Sequence, residues 1–97
     1  MRPIHFGAAA REEFTAAAIF YENQQQGLGA RFITAVEATV ARLQRAPHLH
    51  RVLEGDIRKI RVRRFPYALI YRTRGTTEII AVMHLQRRPG YWRERMR

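Results

Sequence analysis

Ninety-seven residues with 46% hydrophobic content supply one core, not two, so the chain reads as a single domain over 1–97. The chain has no cysteine, which excludes disulfides and thiolate metal sites, and no stretch approaches the roughly 18 apolar residues of a membrane span. The formal net charge is +10, and folding does not require it.

The charge is unevenly placed. From Arg51 to Arg97 there are 13 Arg or Lys against 4 Asp or Glu; from Met1 to His50 there are 5 against 4. Clustered like charges repel within a compact domain, so their retention points to an anionic partner. All but Lys59 of the 18 cations are Arg, which forms planar, bidentate contacts with phosphates and carboxylates. The first residues lack the apolar run of a signal peptide, and a soluble, cytoplasmic protein is the expectation.

Arg2 to Phe6 alternates loosely and predicts a short first strand, ended by Gly7. Residues 8–26 are rich in Ala, Glu and Gln, which lose little side-chain entropy in a helix. Phe14, Ala17, Ala18 and Tyr21 recur at three and four and form its buried stripe. Glu12, Glu13 and Glu22 are assigned to its polar face. Gly27 and Gly29 read as a helix end, and a second helix is predicted from about Leu28 to Arg45. Leu28, Phe32, Val36, Val40 and Leu43 share one of its faces, and Pro47 ends it.

The period then changes. Between Ile57 and Arg64, Ile60 and Val62 alternate with Lys59, Arg61 and Arg63, which predicts a strand with one buried and one solvated face. Phe65-Pro66 reads as a turn, Tyr67 to Thr73 as a central strand, 74–76 as a hairpin turn and Glu78 to Leu85 as the last strand. Pro89-Gly90 ends the sheet and leaves a short basic tail. The predicted class is α+β: a short N-terminal strand and an antiparallel helical hairpin packed on a C-terminal sheet of three to four antiparallel strands.

Period-2 geometry puts Lys59, Arg61 and Arg63 on one face, about 6.5–7 Å apart, near the spacing of adjacent phosphates. An acidic protein segment would satisfy the same row. On the last strand the same period groups Glu78, Ile80, Val82 and His84. His84 there reads as a half-buried imidazole or as a proton-transfer group. Metal binding is not expected, because His5, His48 and His50 are dispersed and no His-Glu-x-x-His pattern occurs. Tyr91-Trp92 could stack on bases or pin the tail to the core, the second being favoured for Trp92. No phosphate loop, carboxylate pair or Ser-His-Asp arrangement presents itself, and no cofactor is implied.

Several pieces, in this order and spacing, resemble the RelE/ParE superfamily of toxins. They are Leu28-Gly29-Ala30-Arg31-Phe32, Pro47, Arg64-Phe65-Pro66-Tyr67, Ile70-Tyr71-Arg72, His84, and then Arg87, Arg88, Pro89, Tyr91, Trp92 and Arg95. The resemblance covers nearly the whole chain. It implies the toxin of a type II toxin–antitoxin system, held by a cognate antitoxin in a hetero-oligomer, with Arg58, Lys59, Arg61, Arg63, Arg64, Arg72, Arg88, Trp92 and Arg95 as antitoxin- or target-binding candidates. ParE-like members inhibit DNA gyrase; RelE-like members cleave messenger RNA on the ribosome. In the second case Lys59 or His84 would transfer protons, Arg61 and Arg87 would stabilise charge and Tyr91 would stack. RelE-like members commonly carry Arg where this chain has Ala68. The Phe65-Pro66-Tyr67 strand entry and the ending from His84 to Trp92 are more similar to ParE. The sequence reading is therefore a ParE-like gyrase inhibitor, with the ribonuclease and a non-toxic nucleic-acid-binding module as alternatives.

Overall fold

A computed structural model describes residues 4–96. The elements are β1 (Ile4–Phe6), α1 (Ala8–Gln24), α2 (Leu28–Arg45), β2 (Arg51–Glu54), β3 (Ile57–Arg61), β4 (Tyr67–Arg74), β5 (Thr76–His84) and a C-terminal 3-10 helix, Tyr91–Met96. The expected strand at Arg2–Phe6 is present from Ile4; Arg2 and Pro3 lie outside the described residues.

The hairpin of α1 and α2 packs on one sheet face. The predicted stripes meet there: Ala17, Phe32, Val36 and Leu43 are buried, and Phe14, Ala18, Tyr21 and Val40 pack against them. The turn depends on two glycines. Gly27 adopts a left-handed conformation at φ 87°, which L side chains rarely occupy. Gly29 lies past the end of α1, in the first turn of α2, where a Cβ would lie 2.6 Å from the Ala18 carbonyl oxygen. Its missing side chain lets the two helices touch. Glu22, expected to be merely solvated, accepts the Gly27 and Gly29 amide hydrogens at 2.9 and 3.0 Å. It therefore satisfies amides that the start of α2 leaves open.

The sheet has five strands, not three or four, in the order β1-β5-β4-β3-β2. β1 lies parallel to β5 and the other pairs are antiparallel. The strand missed in the sequence is β2, which carries no readable alternation because Leu53 is its only residue not exposed. β3 is shorter than expected: it ends at Arg61, and residues 62–66 form the turn into β4.

β4 is buried from Ala68 to Tyr71 and separates two apolar clusters. Leu69 and Tyr71 face the helices. Ala68 and Ile70 face the other side, with Ile57, Ile80, Ala81, Met83 and Trp92. The buried Tyr71 hydroxyl donates to the Pro47 carbonyl at 2.9 Å, tying the end of α2 to the sheet without an orphaned polar group. A bulge between Ile70 and Tyr71 shifts the β4–β5 register, so Tyr71 pairs with Ile79 and Ile70 with Ala81. The extra residue, Ile80, breaks the period of β5. Ile80 consequently faces the second cluster while Val82 faces the first, and the column predicted to run from Glu78 to His84 is split.

Candidate functional site

The alternation of β3 sends Ile60 toward the helices and Lys59 and Arg61 to the other face. Lys59 stands opposite Ile70 and Arg61 opposite Ala68 on β4, both in the second cluster. β2 adds a third cation, Arg51, directly opposite Lys59. Cross-strand partners hold their Cβ atoms about 4.5–5.5 Å apart, and like charges so placed are destabilising. Among the described residues none of these three cations pairs with a carboxylate. Sequence reasoning missed Arg51 because the strand that aims it was not legible.

Beside this row lies a hollow of about 280 Å³ with Leu53, Met83, Leu85 and Trp92 in its wall and Arg51, Lys59 and Arg87 around it. Its one carboxylate, Glu54, is held by Arg93 at 2.8 Å. Trp92 is 3% exposed and closes the second cluster, which is the pinning role.

Tyr91 is anchored as well. Its hydroxyl donates to Glu13 Oε2 at 2.7 Å, and the guanidinium carbons of Arg87 and Arg95 lie 4.0 and 4.9 Å from its ring centre. Glu13 is not on a solvated helix face. It takes two hydrogen bonds from Arg95, at 2.8 and 2.9 Å, and the Val82 amide hydrogen at 3.0 Å. Burial pushes its carboxyl upward, but the hydrogen bonds from Arg95, Tyr91 and Val82 outweigh it and the net shift is down. Burial, followed by the bond to Glu13, pushes the Tyr91 phenol well up, so it remains a donor. Together they clamp the 3-10 helix onto α1 and β5.

Arg63 and Arg64 do not continue the row. They sit in the turn that closes where the Val62 amide donates to the Tyr67 carbonyl at 2.9 Å, and Arg64 has a φ of 72°. Both line a groove against α2. Arg58 donates to the His50 carbonyl at 2.7 Å, and Arg72 pairs with Glu78 at 3.2 Å, so both serve the fold. Arg88 is exposed.

His84 stands opposite Tyr67, 5.1 Å between ring centres, and Tyr67 contacts Phe32 and Tyr21 of the helices. It is on the helix side, across the sheet from Lys59 and Arg61. Its Nδ1 accepts the Gln86 amide hydrogen at 3.0 Å. A neutral imidazole in that arrangement carries its proton on Nε2 and can only donate from there. The position where RelE-like relatives carry Arg is Ala68, which is fully buried in the same cluster as Trp92.

A family model described as the ParE toxin of the type II toxin–antitoxin system, parDE, matches residues 4–89 of the 97. The chain belongs to the ParE toxin family. Among solved structures it is similar to one described as the chromosomal ParDE toxin–antitoxin system from P. aeruginosa. The identity is 13% and the TM-score 0.62, with 87% of this chain and 96% of that chain covered, a likeness of fold. A search of curated proteins returned no match. The ParE assignment accounts for the helical hairpin on a mixed sheet and makes the chain a type II toxin. Among the described residues no helix is long and apolar enough to cross a membrane.

Proposed function

We propose that this toxin is neutralised in the cytoplasm by a cognate antitoxin, in a hetero-oligomer, and that it acts by inhibiting DNA gyrase rather than by cutting RNA. One observation carries the second part: the groups that RNA cleavage would need are divided between the two faces of the sheet. Metal-free cleavage requires a base at the 2′-hydroxyl and an acid at the leaving oxygen, each within about 2.6–3.2 Å of its proton, with cations on the phosphate between them. Lys59 and Arg61 share one face, His84 is on the other, and the Tyr91 hydroxyl is spent on Glu13. A surface that binds a protein target needs no such convergence. The Arg51–Lys59–Arg61 row supplies charge for an acidic segment of either partner, and steering by such a row speeds encounter.

The hollow beside Lys59 and Arg87 is the observation that favours the ribonuclease reading, since its wall is apolar and its rim basic. Expression of the chain alone, followed by assays of supercoiling and of message integrity, separates the two. Blocked supercoiling with intact transcripts supports gyrase inhibition. Codon-biased cuts in translated messages support the ribonuclease, and normal growth with confirmed folded protein removes both.

A further inference from the structure

α1 buries one stripe against the sheet and leaves the opposite stripe bare. Glu12, Thr15, Ala16, Ile19, Phe20 and Asn23 recur at three and four along it, and all are exposed. Single exposed apolar residues are ordinary, but Ile19 and Phe20 are adjacent and each is 56% exposed. The Phe20 ring meets Tyr21 edge-on, 5.5 Å between centres, which orients it without covering it. Ile33 of α2 extends the patch at 38% exposed: it lies one turn beyond Gly29, on the side of α2 that touches α1. The charge of this face also sets it apart. α1 carries one Arg against three Glu in a chain of formal net charge +10. Two copies brought together through their basic faces repel; through α1 they do not.

We infer that the outer face of α1 is a self-association surface, seating α1 of a second copy in antiparallel order. A two-fold axis between Ala16 and Ile19 makes the stripe complementary to itself. It sets Ile19 and Phe20 of each copy over Thr15 and Ala16 of the other, large side chains above small ones. Glu12 then meets Asn23 of the second copy, a carboxylate with an amide donor. The helix end that carries Arg11 approaches the end that carries Glu22, both exposed. Parallel packing would instead set Glu12 against Glu12, two like charges. An acidic partner gains little here, since Arg11 is the one cation of α1, and a nucleic acid would meet Glu12 and Glu22. From Glu12 to Asn23 the stripe is about 16 Å long. So short a contact falls below the roughly 1,200–2,000 Å² of tight complexes, and a reversible dimer with Kd on the order of 10–100 μM is expected. The Arg51–Lys59–Arg61 face lies across the sheet from α1 and stays open in both copies. The inference stands on the exposure and composition of α1 and not on the function proposed above.

The test is sedimentation equilibrium of the full chain from about 5 to 300 μM, which brackets that Kd, at low and high salt. A monomer–dimer equilibrium is expected, and it should tighten with salt. The screening length falls from about 10 Å at 0.1 M to about 3 Å at 1 M, which weakens repulsion between the two net charges and leaves the apolar contact. Ile19→Glu and Phe20→Glu should each weaken dimerisation at least about tenfold. Leu49→Glu alters a side chain that is 79% exposed and lies outside α1, and should change it less than about twofold. Circular dichroism checks the fold of each variant. The chain has no cysteine, so introduced ones report the register. A mixture of Ala16→Cys and Ile19→Cys chains should form more mixed disulfide than one of Ala16→Cys and Glu12→Cys chains, whose positions are about 10 Å out of register. A folded chain that stays monomeric throughout, association that salt weakens, or an equal loss with Leu49→Glu overturns the inference. So does loss of antitoxin capture in Ile19→Glu while the wild-type chain stays monomeric, which gives the face to a different protein. Absence of growth arrest by the wild-type chain removes the toxin reading alone and leaves the dimer standing.

Discussion

Lys59 and His84 lie on opposite faces of one sheet, with β4 between their strands. No rotamer change brings them to the same phosphodiester, because each projects from a paired strand position. Removing a genuine general acid or base costs about 10²–10⁴-fold in rate. His84→Ala is therefore expected to leave growth arrest intact, measured as colony formation after induction. Lys59→Ala should weaken arrest or antitoxin capture. Loss of arrest in His84→Ala, with the protein still folded, would place the imidazole in the mechanism after all.

Arg51 opposite Lys59 gives a prediction of mixed sign. Relief of the like-charge pair by Arg51→Thr should raise stability by about 0.2–1 kcal/mol, since threonine also suits a strand. The same change should weaken binding of the antitoxin or the target. A thermal melt and a pull-down on one preparation check both. If stability rises and binding is unchanged, the row is an ordinary solvated face.

Glu13 joins three elements through one carboxylate. Glu13→Gln loses charge-assisted hydrogen bonds to Arg95, and each such bond is worth about 1.5–3 kcal/mol. The melting temperature should fall by roughly 4–8 °C for each kcal/mol lost, as for other domains of this size. Arg95→Gln should cost a similar amount, and the double variant less than the sum of the two. Additive losses would show that Glu13 and Arg95 do not act as a pair.

Acid should weaken the fold in two steps. Burial, followed by the charge of Arg42, holds His50 below its ordinary 6.5, and its Nε2 is buried without a hydrogen-bond partner among the described residues. The unfolded chain then binds a proton more readily than the folded one, so this contribution is full above pH 6.5 and is lost as pH falls below it. The Glu13 carboxyl is held below its ordinary 4.5, so its contribution is present above that value and is lost as pH falls through the folded one. Melts taken from pH 8 downward should show both steps, with Glu13→Gln abolishing the lower and His50→Gln the upper. A single step unaffected by either substitution would contradict the assignment.

Much of the fold was legible because it follows from apolar periodicity. The stripe of Phe14, Ala17, Ala18 and Tyr21 and the central strand expected over Tyr67 to Thr73, buried on both sides from Ala68 to Tyr71, could be read directly. β2 could not, since an edge strand with one half-buried residue has no pattern to read. The face of His84 could not be read either, because the bulge at Ile70/Tyr71 reverses the parity of β5 and a bulge leaves no signature in a run of Ile, Ala and Val. Glu13 and Glu22 look alike on a helical wheel. Only the tertiary fold brings Arg95 and Tyr91 to Glu13 and the amides of α2 to Glu22. The basic half forms two separate surfaces in the fold, which the sequence read as one: Lys59 and Arg61 on the sheet, Arg63 and Arg64 at the groove.

The central claim is tested most directly by one paired measurement. Purified chain is added to a gyrase supercoiling reaction, and in parallel to translating ribosomes whose messages are mapped by primer extension. Gyrase inhibition predicts blocked supercoiling and uncut messages, with supercoiling restored when the antitoxin is present. Uninhibited gyrase together with cuts at fixed codon positions would contradict it.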